Sequence, residues 1–409
     1  MLLIQATSSP GGQLNGLYHH AKQRFNCQGG QMHLLALVEA RGHVCSRYRI
    51  EAFEPWLKHF NVTISYQAIE KSPLRRLRQM QSAKGFDGVI LQRRLLDPLA
   101  FRALRKAAKY LVFDFDDAVL YRDSYAARGH HCPRRQARFE MTVTAADMIL
   151  AGNSFLASLA EQHGAPAANI HYMPTCIDLS AYEKLRAARK PRNDHQLVMV
   201  WIGSSSTLKG IESTSRIWNR IGQCVPRATL RVVCDRFPVF DHLRVEPVHW
   251  SESTEIENIV SADIGISHVP DDLWSRGKCG LKVLQYLAGG LPVLTNPVGV
   301  HQEMIQPGKN GFLVDKNEQW IEAVRWLDRF RDATAEMAQA GIETIRQGYD
   351  IADWGPFFVD RVAPGAIPAN FDTRQMKIPD QPLKNWKLDQ ADQPGQMSST
   401  TVTARSPQA

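Results

Sequence analysis

Short apolar runs alternate with segments of helical periodicity over most of the chain. Strands buried on both faces read as continuous apolar runs, and parallel neighbours need a long crossover between them. The first half of the chain therefore predicts βαβ units, with strands at 33–38, 62–66, 87–92, 110–115, 148–151 and 170–173. Helices are expected between these strands, at 47–59, 70–83, 97–108, 134–146 and from residue 155 onward.

A second alternating series follows a charged stretch. It predicts strands at 197–202, 229–233, 264–266 and 292–294, and helices at 209–222, 254–261, 280–288 and 319–330. A chain of 409 residues is long for one core, so two α/β domains with doubly wound parallel sheets are expected. The predicted division is a poorly structured extension (1–31), a first domain (32–182), a linker (183–196), a second domain (197–348) and a disordered tail (365–409).

Composition narrows the class of protein. The chain is 44% hydrophobic, and no apolar run approaches the roughly 20 residues that cross a bilayer. There is no pattern of a secretory signal, and the seven cysteines form no CxxC pair, so we expect a cytoplasmic protein with reduced thiols. Met32 is a second candidate start site, directly before the first strand.

The net charge of +8 is concentrated in two basic, amphipathic segments, at 71–80 and 102–109. Such a surface is either a solvated helix face or a region of peripheral contact with an anionic membrane. Nucleic acid is not expected as a partner, because aromatic side chains are not interleaved with the basic ones.

Residues 277–296 contain the largest group of candidate ligand-binding residues. A glycine-rich loop containing Gly280 turns into a short apolar helix that carries Lys278, Lys282 and Gln285 close to its start. Free N–H groups at a helix start, next to lysines, are suited to hold a phosphate, and Gln285 could hydrogen-bond ribose hydroxyls. The alternative is a surface helix with solvated lysines.

Two further turns follow strands of the second domain. In Trp-Ile-Gly-Ser-Ser-Ser-Thr-Leu-Lys-Gly, Gly203 ends a strand, and Ser204 and Lys209 are candidates for binding a pyrophosphate. A serine-rich turn also caps a helix without any ligand. In the turn at 296–303, Glu303 lies near a helix start, where it binds the donor or simply complements the helix dipole.

In the first domain, three carboxylates end the strand at 110–115. Asp114 follows Phe113 within the strand and is expected to point inward, which leaves Asp116 and Asp117 as the exposed pair. Ligands in open parallel sheets bind outside the carboxyl ends of the strands. Such a pair can bind a divalent ion, act as nucleophile and acid, or orient sugar hydroxyls.

These motifs together resemble the group 1 (family four) glycosyltransferases, retaining enzymes of the GT-B fold, over residues 32–362. The resemblance implies two Rossmann-like domains facing across a cleft, with a UDP- or GDP-sugar donor on the second and a saccharide, lipid or other acceptor on the first. It implies no metal and no cofactor. It also implies that Lys209 and Gly280 contact the donor, and that a helix at 349–364 crosses back to the first domain.

The chain departs from the family pattern at the signature Glu-x7-Glu. Its two positions fall on Gly277 and Gln285. We expect Asp271, Asp272 or Lys278 to replace the first glutamate. Ser204 stands where the family usually has an arginine, and Asp116 where many relatives have a histidine. Asp116, Asp117 and Lys278 are the expected catalytic residues.

Two other functions fit parts of the pattern. Asp114 and Asp116 resemble the nucleophile and acid of magnesium-dependent phosphatases of the haloacid dehalogenase type, although that motif normally opens the first strand of its domain. The missing glutamate pair suggests instead a degenerate transferase that binds nucleotide sugar or glycan without turnover.

Overall fold

The computed structural model describes residues 31–189, 196–368 and 370–371, which fold into two α/β domains. The strands are β1 (Met32–Val38), β2 (Val62–Ala68), β3 (Gly88–Gln92), β4 (Leu111–Phe115), β5 (Met148–Ala151), β6 (Ile170–Tyr172), β7 (Leu197–Ile202), β8 (Ala228–Cys234), β9 (Arg244–His249), β10 (Ile264–Ser267), β11 (Val293–Thr295) and β12 (Gly311–Leu313). The first sheet has the order β2-β1-β3-β4-β5-β6 and the second has the order β12-β11-β10-β7-β8-β9. Every strand pair is parallel.

Helices cover both faces of each sheet and bury the apolar runs. They are α1 (Val44–Arg49), α2 (Glu54–His59), α3 (Pro73–Ser82), α4 (Pro98–Ala107), α5 (Pro133–Ala145), α6 (Ser154–Gln162), α7 (Leu179–Ala187), α8 (Ser205–Glu212), α9 (Ser215–Cys224), α10 (Glu255–Val260), α11 (Leu273–Arg276), α12 (Leu281–Ala288), α13 (His301–Met304), α14 (Asn317–Arg329), α15 (Arg331–Gly348) and α16 (Ile351–Val362). The predicted fold class, two doubly wound parallel-sheet domains, is confirmed.

Two predicted helices are each divided in two. The helix expected at 47–59 is α1 and α2, because the chain leaves the helical region at Ile50, where φ is −132°, before Pro55 starts the next helix. The helix expected at 209–222 is α8 and α9. Between them, the hydroxyls of Ser213 and Thr214 both donate to the carbonyl oxygen of Gly210, which competes with regular helix bonding.

The predicted linker, 183–196, begins too early. Helix α7 continues to Ala187, and Arg186 donates a hydrogen bond to the carbonyl oxygen of Ala288 in the second domain. Residues 190–195 lie outside the described part of the chain, as do residues 1–30, most of the predicted extension.

The last described helix, α16, returns to the first domain. Trp354 and Phe358 are buried in the core of that domain, and the Phe358 ring stacks on Phe53 with centroids 4.5 Å apart. The predicted disordered tail, 365–409, includes at least one packed residue, because the ring of Phe371 lies edge-on against that of Phe60 with centroids 5.3 Å apart. Residues 372–409 lie outside the described residues.

No helix among the described residues is long and apolar enough to cross a membrane. The basic segment at 71–80 forms α3, which packs beside α4. Two leucines on this surface are strongly exposed, Leu74 at 73% and Leu99 at 70%. The surface is therefore basic with isolated apolar side chains.

Candidate functional site

A cleft of about 850 Å³ lies between the two domains. Its lining comes largely from loops that follow the carboxyl ends of strands in both sheets: His43 after β1, Arg93 after β3, Asp116 after β4, Gly203 after β7 and His268 after β10. Ligands of open parallel sheets bind at this position. The cleft therefore brings together the polar loops of both domains, and we treat it as the candidate active site.

The glycine-rich loop of the second domain lies in this cleft. The four predicted donor-side residues of this loop and helix line it: Lys278, Gly280, Lys282 and Gln285. Their role in ligand binding stays a prediction. Gly280 has φ +66° and precedes the first turn of α12. A Cβ at Gly280 would lie 2.8 Å from the sulfur of Met304, so glycine is required both for the backbone conformation and for packing. The N-terminus of α12 is thereby directed at the cleft.

Lys282 is held close to the loop after β7. Its Nζ lies 5.4 Å from the centre of the Trp201 ring, and a Cβ at Gly203 would come within 2.7 Å of its Cε. Burial and the charge of Lys278 lower the pKa of Lys282 to about 8. An anion bound here would restore the stability of its charged form.

The serine-rich loop after β7 also reaches the cleft, since Gly203 and Ser204 line it. However, the N–H of Ser205 donates to Oδ1 of Asp235 at 3.0 Å. One free N–H at the start of α8 is therefore occupied by a carboxylate of the protein itself. Lys209 does not line the cleft. Its Nζ lies 5.2 Å from the ring of Tyr125, a cleft residue of the first domain, so the predicted role of Lys209 in phosphate binding has no direct support from its position.

Gln285 belongs to a buried polar network that joins the domains. Its Nε2 donates to Oε1 of Glu255 at 2.7 Å and to the hydroxyl of Tyr48 at 2.9 Å. The Tyr48 hydroxyl in turn donates to Glu255 at 2.5 Å, and burial with this carboxylate raises the pKa of Tyr48. Trp250 Nε1 and Arg47 occupy the other carboxylate oxygen. The amide of Gln285 is thus engaged, and the carboxylate nearest this part of the cleft is Glu255.

Asp114 points into the first domain, as predicted. It is fully buried and pairs with Arg49, which also donates to the carbonyl oxygen of Met173. Burial disfavours the charged guanidinium, but the Asp114 carboxylate offsets this and raises the pKa of Arg49. Asp114 therefore cannot act as a nucleophile toward a substrate in the cleft, which removes the basis of the phosphatase hypothesis.

Asp116 and Asp117 line the cleft and share Arg93 as a partner. A guanidinium nitrogen of Arg93 lies 3.3 Å from Oδ1 of Asp116, and the other terminal nitrogen pairs with Asp117. Burial disfavours the charge on Arg93, but the two carboxylates more than compensate and raise its pKa. Lys278 completes the group, with its Nζ 4.0 Å from Oδ1 of Asp117. Among the residues that the structure describes, no group of three or more His, Cys, Asp or Glu side chains is placed to hold a metal ion.

Arg93 was not identified from the sequence. It directly follows a predicted strand, and ligands of parallel sheets bind at the carboxyl ends of strands, so it could have been identified in this way. Its φ of +56° is unusual for a residue with a Cβ. A strained backbone at a cleft residue is consistent with a functional position.

The absence of a glutamate at position 277 has a steric reason. A Cβ at Gly277 would lie 2.6 Å from the Cβ and 2.7 Å from the backbone nitrogen of Ala118, in the facing domain. Asn153 secures the same contact, because its Nδ2 donates to the carbonyl oxygens of Gly277 and Lys278, each at 3.1 Å. The domains approach too closely here for any side chain at position 277.

Three other predicted carboxylates do not line the cleft. Glu303 accepts a hydrogen bond from the hydroxyl of Ser154 at 3.1 Å, so it contacts the first domain rather than a position for the donor. Asp271 pairs with Arg276 at 2.8 Å, and Asp272 caps α11. Of the three proposed replacements for the missing glutamate, only Lys278 faces the cleft.

Comparison with known proteins agrees with this geometry. Residues 196–328 match the model of a family described as glycosyl transferases group 1. Among solved structures, sucrose-phosphate synthase from Thermosynechococcus elongatus has a TM-score of 0.63 at 14% identity, with 80% of this chain and 97% of that chain covered. HepE of Anabaena, in complex with UDP and glucose, has a TM-score of 0.59 at 14% identity, covering 81% and 99%.

A glycosyltransferase from Rickettsia africae has a TM-score of 0.58 at 14% identity, covering 79% of this chain and 95% of that chain. A search of curated protein sequences gave no match. The chain therefore has the GT-B fold, and its second domain matches the group 1 glycosyl transferases.

Proposed function

We propose that this protein transfers a sugar from a nucleotide-diphosphate donor to an acceptor hydroxyl, with retention of configuration and without a metal ion. The observation that carries the proposal is the arrangement of the cleft. The N-terminus of α12, with Lys278 and Lys282, faces the carboxylates of Asp116 and Asp117 across the domain boundary. One side is suited to a diphosphate and the other to hydroxyl groups.

The leaving group is the diphosphate. As the bond between the sugar C1 and the diphosphate oxygen breaks, negative charge grows on that oxygen. The amides at the start of α12 and the ammonium groups of Lys278 and Lys282 stabilise this charge, which is the role of a metal ion in other transferases. The start of α8 contributes less, because Asp235 already accepts from Ser205.

The acceptor hydroxyl lies on the side of the first domain. Asp116 and Asp117 orient it by accepting hydrogen bonds, and its oxygen forms the new bond to C1 while its proton passes to the departing diphosphate. The 4.0 Å distance between Lys278 and Asp117 supports an arrangement in which the acceptor and the leaving group lie on the same side of the sugar. Attack from this side favours retention, which NMR of the anomeric proton in the product would test.

Donor choice is the first experiment. Ligands that bind the native state raise the melting temperature, so a thermal-shift screen of UDP- and GDP-sugars identifies the donor. With that donor, Asp116→Asn and Asp117→Asn should each lower turnover about 100-fold or more, since they remove positioned hydrogen-bond acceptors for the reacting hydroxyl. Donor affinity, measured by calorimetry, should change little.

The matched control is Asp271→Asn, an exposed carboxylate that lies outside the cleft and pairs with Arg276. It should leave turnover unchanged. Donor binding by the wild-type protein without any transfer or hydrolysis would instead support the non-catalytic alternative. Binding of no nucleotide sugar at all would contradict both hypotheses.

The lowered pKa of Lys282 predicts how donor binding depends on pH. Lys282 loses its charge as pH rises through about 8, so affinity should fall between pH 7 and 9. If only the charged lysine binds, the dissociation constant rises about tenfold over this range. A nucleotide sugar is the right probe, because its diphosphate keeps the same charge throughout. Lys282→Arg stays charged, so calorimetry on that variant should show no such dependence; an equal dependence would contradict the assignment.

A contact with anionic membrane stays a prediction. It is supported by the basic surface of α3 and α4 with the exposed Leu74 and Leu99. A lipid acceptor would bring the cleft of the first domain to such a surface. Flotation of the protein with anionic vesicles, compared with neutral vesicles, would test the contact.

A further inference from the structure

A second cavity, of about 510 Å³, lies next to the cleft, and all of its lining residues except Trp274 belong to the first domain. The two cavities share four lining residues, His43, Cys45, Arg93 and Trp274, so they are directly adjacent. The second cavity is formed by loops after β1 and β3 and by the first part of α5. We call it the arginine pocket.

The arginine pocket carries an excess of positive charge. Its lining contains five arginines and one carboxylate: Arg76, Arg93, Arg94, Arg135, Arg138 and Glu39. Three of these arginines have carboxylate partners. Arg94 pairs with Glu39, Arg93 pairs with the two cleft carboxylates, and Arg76 lies 3.6 Å from Asp97.

Arg135 and Arg138 are different. They lie one helical turn apart on α5, and in the described part of the chain neither has a carboxylate partner. Among the described residues, each side chain donates only to a backbone carbonyl oxygen, Arg135 to Tyr121 at 2.5 Å and Arg138 to Leu95 at 3.4 Å. Most guanidinium N–H donors of both residues thus remain available. Two uncompensated guanidinium groups on one cavity wall are suited to bidentate recognition of an oxyanion.

We propose that the arginine pocket binds a phosphate group of the acceptor. The inference rests on the proposed function, because it assumes a transferase with an acceptor and assigns a phosphate group to that acceptor. Arg93 lines both the pocket and the cleft and pairs with the two cleft carboxylates, so the pocket lies directly beside them. One acceptor molecule can therefore place a phosphate beside Arg135 and Arg138 and a hydroxyl beside Asp116. The acceptor class is therefore a phosphorylated hydroxyl compound, either lipid-linked or soluble.

Inorganic phosphate is a suitable probe for the pocket. It is titrated by calorimetry into the full chain saturated with UDP or GDP, whichever raises the melting temperature more, so that the donor position is occupied. The double variant Arg135→Gln/Arg138→Gln should bind phosphate about tenfold more weakly or worse, since it removes two charge-assisted contacts. Both residues lie on the surface of α5, so the melting temperature should stay close to that of the wild type.

The matched control is Arg134→Gln/Arg102→Gln. It removes the same charge from α5 and α4, but neither residue lines the pocket. An equal loss of phosphate binding in this control would show a general charge effect and overturn the assignment, as would undiminished binding in the pocket variant. The proposed function is tested separately: if neither nucleotide binds while the pocket variant still loses phosphate binding, the transferase proposal fails and the phosphate site stands.

Competition identifies the source of the phosphate. Displacement of inorganic phosphate by glucose 6-phosphate supports a soluble acceptor. Displacement only by vesicles containing phosphatidic acid supports a lipid-linked acceptor, whose chain would lie toward α3 and α4. If neither competes with phosphate, the pocket does not serve an organic acceptor and the proposal is wrong.

Discussion

Lys282→Ala should weaken binding of the preferred nucleotide sugar about 10- to 150-fold at pH 7, as measured by calorimetry. A hydrogen bond between a charged group and its partner contributes about 1.5–3 kcal/mol, and this is the range that the loss represents. The fold holds the side chain of Lys282 in place, since its stem packs against Gly203 and its ammonium lies 5.4 Å from the centre of the Trp201 ring. The side chain therefore needs little reordering when a diphosphate binds.

Lys209→Ala is the matched control for this experiment. Both residues are lysines of short helices in the second domain, but Lys209 lies in the last turn of α8 and faces Tyr125 rather than the cleft. Its removal should change affinity no more than about threefold, in the range of a screened surface charge. Gly203→Ala provides an independent check, because the new Cβ would displace the stem of Lys282. A larger effect at Lys209 than at Lys282 would restore the role first predicted for Lys209 and refute the one proposed for Lys282.

The elements that the sequence predicted well are those with a continuous apolar run. Strand β5, Met148–Ala151, has the predicted bounds, and β4 begins one residue later than predicted. Both strands are buried on two faces, so almost every position is apolar and the run is easily recognised as a strand. Strand β9 gave no such signal. It pairs only with β8 at the sheet edge, and Arg244, Glu246 and Pro247 interrupt any apolar pattern.

The sequence predicted the position of a functional side chain correctly where that position depends on the end of a single strand. Asp114 was expected to point inward because it lies within a buried strand, and Asp116 and Asp117 to be accessible because they follow its carboxyl end. The last two do line the cleft, although their side chains are only 14% and 15% exposed. What a single sequence could not show is which loops of the two domains meet. Gln285 contacts Tyr48, 237 positions away in the chain, and this pairing changes its expected role as a free ribose ligand. The steric reason for glycine at position 277 likewise lies in the other domain.

Arg49→Met should lower the free energy of unfolding of the first domain by about 3–5 kcal/mol, as measured by chemical denaturation. The variant leaves the Asp114 carboxylate buried without its cation, and an unpaired buried charge is among the most destabilising changes in a core. Gln92 also donates to this carboxylate, at 3.3 Å, but a neutral amide does not replace the lost charge. The pair joins α1 to β4 directly behind Asp116 and Asp117, so it supports the strand end that carries them.

The double variant Arg49→Met/Asp114→Asn distinguishes an electrostatic cause from a packing cause. It removes both charges, so most of the lost stability should return, whereas a packing defect from methionine would persist in both variants. Neither residue lines the cleft, so donor affinity of the folded protein should remain near that of the wild type in both cases. A single variant within about 1 kcal/mol of the wild type would mean that the Asp114 side chain does not depend on Arg49 for its stability in the core. In that case an inward, ion-paired Asp114 would no longer count against the phosphatase hypothesis, and phosphatase activity with magnesium would have to be measured directly.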